Sequence, residues 1–203
     1  MRLKTITGAL LVITVCCVST STIANKALPA ESTQQPSFCG VSELDTQLNG
    51  QGANYPAGEN FQLLGKAKLS VLFWDIYESQ LLTSDAKVPF SSACQCILFK
   101  IRYLRAISNQ ELVANTEAQW QHLQVDKDIY RGYLTKLARI WPDIQAGDQL
   151  SLLSQGEITV FYFNQQKIAA IKSPTFAKLF LGIWLDKNTS EARLRQQLLG
   201  GGI

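Results

Sequence analysis

Hydrophobic and polar positions divide the chain into three zones. From Ile6 to Val18 it is uncharged and mostly apolar, and from Asn25 to Gly58 it is polar and rich in turn formers. From Phe61 onward apolar positions recur with a period that switches from two to 3.6, back to two, and to 3.6 again. Phe61 to Leu82 is dense in Leu, Val, Phe, Trp and Tyr, with a break at Gly65. It predicts one or two strands, running through Leu69–Tyr77. Both of its faces are largely apolar, which places it in the middle of a covered sheet. Cys96 to Arg105 alternates more clearly: Ile97, Phe99, Ile101 and Tyr103 point one way, Lys100 and Arg102 the other. Arg105 has the parity of the apolar face, at its end.

Ser108-Asn-Gln-Glu111 is a capping box, in which the serine oxygen accepts from the amide three residues on and the glutamate reaches back. The helix it opens carries Leu112, Val113, Thr116, Trp120 and Leu123 on one side. A second helix fits Ile129–Trp141, with Tyr130, Tyr133, Leu134, Leu137 and Trp141 as its stripe, and Pro142 ends it. Three short strands follow, Gln149–Leu153, Ile158–Phe163 and Lys167–Ile171, with turns at Gln155-Gly156 and Asn164–Gln166. Ser173-Pro174 then reads as an N-cap and first helical residue, and Phe176, Leu179, Phe180, Ile183 and Trp184 line the helix. Thr189 or Ser190 caps a last helix through Leu199, which the Gly200–Gly202 run terminates.

Strands, two helices, a strand meander and two helices is not the single alternation of a doubly wound parallel sheet. The order predicts an α+β fold, an antiparallel sheet covered on one face by a helical layer.

Composition narrows function without naming it. Of 203 residues, 46% are hydrophobic and 17% charged, which excludes a disordered chain. A net charge of +3 is far from the basic balance of a dedicated nucleic-acid binder, so no nucleic-acid partner is expected. His122 is the only histidine, which rules out a multi-histidine metal site. It lies beside Gln121 and Gln124 near a helix end and reads as a solvated surface residue rather than a general base.

The N-terminus reads as a secretory signal. Arg2 and Lys4 form a basic start, Ile6–Val18 the apolar stretch, and Thr22-Ile23-Ala24 a cleavage site. The apolar run is short of the ~20 residues of a spanning helix, so no stable membrane span is expected after cleavage. A lipidated cysteine fits poorly, because Val15 and Cys16 precede the candidates Cys16 and Cys17. The expected organisation is a signal peptide over 1–24, a polar arm over 25–58 and one domain over 59–203, periplasmic or secreted. The exported chain keeps Cys39, Cys94 and Cys96, so an odd thiol remains. A bridge of Cys39 with Cys94 or Cys96 is the expectation for an oxidising compartment, with free thiols as the alternative. Cys94-Gln-Cys96 has neither redox nor zinc-ligand spacing, so no metal is expected.

There is no nucleophile elbow, no phosphate loop and no dinucleotide fingerprint, and no cofactor is expected. Scattered aspartates at 126, 128, 143 and 148 fit caps and turns. The many aromatic residues fit a core, and equally a slot between sheet and helices that holds an apolar ligand.

Several segments together resemble a known family. They are Gly65–Tyr77, Phe99–Ser108 with Glu111–Val113, Trp141–Asp148, Val160–Asn164, and Phe176–Leu185 followed by Leu194-Arg195 and Leu198–Gly200. In this order they look like the bacterial chalcone isomerase-like family, over about Phe61 to Gly200. The resemblance implies an open-faced β-sandwich, with a ligand cleft between a large antiparallel sheet and a helical layer. It implies catalysis less well. The plant isomerases close a chalcone to a flavanone with an arginine in an early glycine-containing motif, helped by a tyrosine, an asparagine and hydroxyls. Here that motif offers Lys66 and Lys68, and a lysine cannot repeat a planar fork. Leu72 stands near the expected strand hydroxyl, Ser108 near the tyrosine, and Asn115 near the cleft asparagine.

Other relatives of the fold bind fatty acids without turnover, through an arginine, a tyrosine and an apolar slot. On that model Lys68, Tyr103 and Arg105 form the polar end of the ligand site, with Tyr77 and Asn115 beside them. The leading reading is therefore an exported, non-catalytic binder of an apolar or amphipathic small molecule such as a fatty acid. Two alternatives stay open: an isomerase in which Lys68 or Arg105 replaces the arginine, and an envelope protein with a closed core and a protein partner. In that last case Tyr77 and Tyr103 are core residues and Arg105 a surface ion-pair member.

Overall fold

The computed structural model describes residues 61–201. The signal, the polar arm and Cys39 lie outside them. Six strands form one all-antiparallel meander in chain order: β1 (Gln62–Val71), β2 (Trp74–Thr83), β3 (Cys96–Tyr103), β4 (Gln149–Gln155), β5 (Ile158–Phe163) and β6 (Gln166–Lys172). Helices α1 (Asn109–His122) and α2 (Lys127–Ile140) are inserted between β3 and β4, and α3 (Phe176–Leu185) and α4 (Ala192–Leu198) follow β6. The predicted α+β architecture is the observed one.

Strand parity decides where the core lies. Tyr77, Leu81, Phe99, Ile101, Tyr103, Leu150, Leu152 and Phe161 face the helices and join Leu112, Trp120, Tyr130, Leu137, Phe176, Phe180 and Leu198 in one large cluster. The opposite parity gives a smaller second cluster of Leu82, Leu98, Leu153, Val160 and Tyr162. Towards the other end of that second face runs the polar row Lys68, Glu78 and Arg102.

Four expectations need correction. Of the one or two strands expected over Phe61–Leu82 there are two, but the chain does not run straight through Leu69–Tyr77: it turns back at Leu72-Phe73, with Leu72 at φ 55°. Among the described residues the first of these two strands is the sheet edge, not the middle. Gly65 does not break β1 but sits at a bulge within it. A Cβ there would stand in the backbone carbonyls of Gln197 and Leu198, so the close approach of α4 requires glycine. Neither Ser173 nor Thr189 and Ser190 caps a helix. Ser173 Oγ is hydrogen-bonded to Tyr133 Oη, and α3 starts at Phe176 after Thr175. Thr189 Oγ1 donates to the Ile183 carbonyl, Ser190 Oγ donates to Gln119, and α4 starts after Glu191.

Other signals hold in the structure. Both bonds of the Ser108–Glu111 capping box are present. Asp126 caps α2, which starts two residues earlier than expected, and Trp141 ends it in extended conformation before Pro142. Asn164 and Gln165, both at positive φ, make the β5–β6 turn. His122 is exposed, with Nε2 hydrogen-bonded to the Asn188 carbonyl.

Candidate functional site

Sheet and helices do not close on each other completely. A cavity of about 470 Å³ lies between them, within the size range of small-molecule sites. Its interior is apolar and aromatic. Leu69, Ile76, Phe99, Ile101, Leu152 and Phe161 come from the sheet, and Leu112, Phe180, Ile183 and Trp184 from the helices. Its rim joins the β1–β2 tip (Val71, Leu72, Trp74) to Arg105 and the exposed side of α1 (Glu111, Asn115).

Two phenols stand inside. Tyr77 and Tyr103 are directly opposed across β2 and β3, with ring centroids 6.0 Å apart and edge-on. Burial pushes the Tyr77 phenol up to about 12, opposed by the hydrogen bond from Trp184 and assisted by the charge of Glu191. Burial raises Tyr103 further, with Tyr77 adding to the rise. Both therefore remain protonated at neutral pH, able to donate or accept a hydrogen bond but not to act as phenolate.

Arg105 supplies the cation. It falls in the exposed segment after β3, two residues past the strand end, and lines the cavity. Among the described residues no carboxylate forms an ion pair with its guanidinium. Glu111 lies nearby, but its carboxylate is held below the ordinary range chiefly by accepting from the Ser108 backbone and hydroxyl, with a smaller contribution from the Arg105 charge.

The structure thus brings Tyr77, Tyr103, Arg105 and Asn115 to one cavity. Lys68 is placed apart. Its neighbour Leu69 pairs with Tyr77, so Lys68 has the opposite parity, and its ammonium is bound to Asp75 at 2.9 Å. Sequence reading missed three features of the site. Trp184 Nε1 donates to Tyr77 Oη at 2.8 Å. Trp141, read as a stripe residue, lines the cavity with its buried indole N–H unpartnered. The apolar hairpin tip forms part of the rim. An indole cannot reveal its hydrogen-bond partner by periodicity, and of the tip the sequence displays only an unbroken apolar run.

A model of the chalcone isomerase-like family matches residues 47–200. The chain belongs to this family. Among solved structures, the chalcone isomerase-like fold seen here is similar to that of a fatty-acid binding protein of Arabidopsis thaliana. The TM-score is 0.55 at 12% identity, covering 72% of this chain and 90% of that one. At that identity the likeness is one of fold. No curated protein matches the chain. Among the described residues no group of His, Cys, Asp and Glu is placed to hold a metal ion, and no helix is long and apolar enough to cross a membrane.

Cys94 is disulfide-bonded and Cys96 carries a free, half-buried thiol. Cys39 lies outside the described residues.

Proposed function

We propose that this chain is an exported, non-catalytic member of the chalcone isomerase-like family that holds an apolar or amphipathic small molecule, such as a fatty acid, between sheet and helices. The observation that carries the reading is the pairing of an apolar cavity of about 470 Å³ with an arginine at its rim that forms no ion pair with a carboxylate among the described residues. A carboxylate at Arg105 would gain charge-assisted hydrogen bonds while its tail covers the aromatic wall, and the Tyr103 phenol lines the same cavity. The Trp141 N–H is a further donor for an oxygen on the ligand.

Export rests on the basic Arg2 and Lys4, the apolar Ile6–Val18 and the site at Ala24. The same compartment favours a bridge between Cys39 and Cys94.

Native mass spectrometry of protein purified without detergent, followed by solvent extraction, tests the binding reading. A defined added mass that extracts as a fatty acid or similar amphiphile is the expected result. A clean apo mass, unchanged after incubation with fatty acids, overturns it.

A further inference from the structure

We propose that the β1–β2 tip is a lipid-bilayer contact, in which Val71, Leu72, Phe73 and Trp74 enter the headgroup–acyl boundary and seat the cavity mouth there. These consecutive residues are exposed to 51, 89, 98 and 69%. Single exposed apolar residues are ordinary, whereas a contiguous apolar projection marks a contact. A convex two-residue turn offers no groove for a peptide or helix to fill. It is a shape that a fluid interface accepts.

The chemistry of the tip fits that medium. Val71, Leu72 and Phe73 supply apolar surface, and Trp74 is the amphipathic ring type that settles at headgroup depth. The flanking charges cancel: Lys68 Nζ meets Asp75 at 2.9 Å and Ser70 Oγ donates to the same carboxylate at 2.6 Å. A neutral polar collar thus stands behind the apolar tip, so insertion of Val71–Trp74 itself drags no unpaired charge out of water. Val71, Leu72 and Trp74 also line the cavity. Apolar surface therefore runs unbroken from the bilayer contact into the cavity, and an amphiphile leaving the membrane keeps its tail out of water. The other exposed large apolar residues described, Leu63, Val88, Phe90 and Ile129, do not line the cavity. The cavity's use rests on the carrier reading above, but the bilayer contact does not.

The test uses the exported chain from Asn25, which lacks the apolar signal, and phosphatidylcholine vesicles, with and without brominated acyl chains. Trp74 emission is isolated by subtracting the spectrum of Trp74→Tyr. We expect it to shift to the blue on vesicles and to be quenched by bromine. Phe73 is nearly fully exposed and off the cavity wall. Phe73→Asp should lower vesicle partition about tenfold or more, Phe73→Leu should retain it, and both should unfold at the parent midpoint. Because the tip is uncharged, added salt should change partition little. Trp74 emission indifferent to brominated lipid, or equal partition of Phe73→Asp and the parent, overturns the proposal. So does a finding that Phe73→Asp abolishes self-association in the absence of lipid while leaving partition intact. Fatty-acid affinity of Phe73→Asp, measured without vesicles, should match the parent. A protein that binds vesicles but no fatty acid sinks the carrier reading alone.

Discussion

The indole N–H of Trp184 donates to the hydroxyl of Tyr77 at 2.8 Å, fastening α3 to β2 beside the cavity. The Tyr77 ring in turn meets Tyr103, so one bond orients both phenols. Tyr77→Phe leaves a half-buried indole donor without its acceptor, and a loss of about 1–3 kcal/mol is expected. Trp184→Phe orphans the hydroxyl instead. In urea denaturation the double variant should cost less than the two single changes added together. Strict additivity would show that the bond contributes nothing.

Arg105 should discriminate head groups. Arg105→Ala is expected to weaken fatty-acid binding roughly tenfold or more, the scale of a hydrogen bond to a charged group. The matching fatty alcohol should bind nearly as before. Titration calorimetry on both ligands separates a head-group contact from general damage, since equal losses would remove Arg105 from the site.

Gly65 tolerates no side chain. The Leu198 carbonyl carbon would stand 2.6 Å from an added Cβ, and backbone cannot step aside as a flexible side chain can. Gly65→Ala should destabilise by roughly 1–3 kcal/mol or more. Gly132, where a Cβ meets nothing within 4 Å, is the control, and Gly132→Ala in exposed α2 should be neutral or stabilising. A chemical-denaturation midpoint for each variant decides the matter.

Acid should weaken the fold through identifiable carboxylates. Ser70 and Lys68 hold Asp75 below its ordinary range, Gln95 does so for Asp85, and the Ser108 groups for Glu111. A carboxylate depressed in the fold makes the unfolded chain the stronger proton binder. Its contribution is complete above the unfolded value of about 4 and is lost as pH falls through the folded one. Thermal midpoints should therefore decline below about pH 4. Asp75→Asn should shallow that decline, and an unchanged slope would exclude Asp75 as a contributor.

The thiols should behave unequally. Fragment ions from a non-reduced digest should place a link at Cys94, with Cys39 as the proposed partner, and an alkylated thiol at Cys96. Burial raises the Cys96 thiol, so its alkylation should be slow at neutral pH and accelerate on unfolding. Prompt labelling of Cys94 without reductant would contradict the assignment.

Much of this is legible in the chain. The alternation from Ile97 to Tyr103 assigns β3 its face because one side really is buried and the other partly wet. The Ser108 box is readable because its bonds are local, and the meander because its turns are short. The β1–β2 hairpin escapes for the converse reason. Its turn carries Leu and Phe where Gly or Asn is usual, and apolar continuity hides the reversal. Missing that turn also hides the parity of Lys68, because sequence neighbours take opposite faces once a partner register is fixed. The cavity itself cannot be read, since packing residues and lining residues share one composition.

The fit between α4 and the bulge at Gly65 has a consequence for the order of events in synthesis. Among the described residues, the helix that packs on the first strand is the last one, which emerges after all the intervening elements. At elongation rates of about 5–20 residues per second, β1 waits several seconds for Leu194 and Leu198. The inner face of β1 therefore stays uncovered by α4 until Leu198 has left the ribosome, so this contact closes only after every other described element has been made.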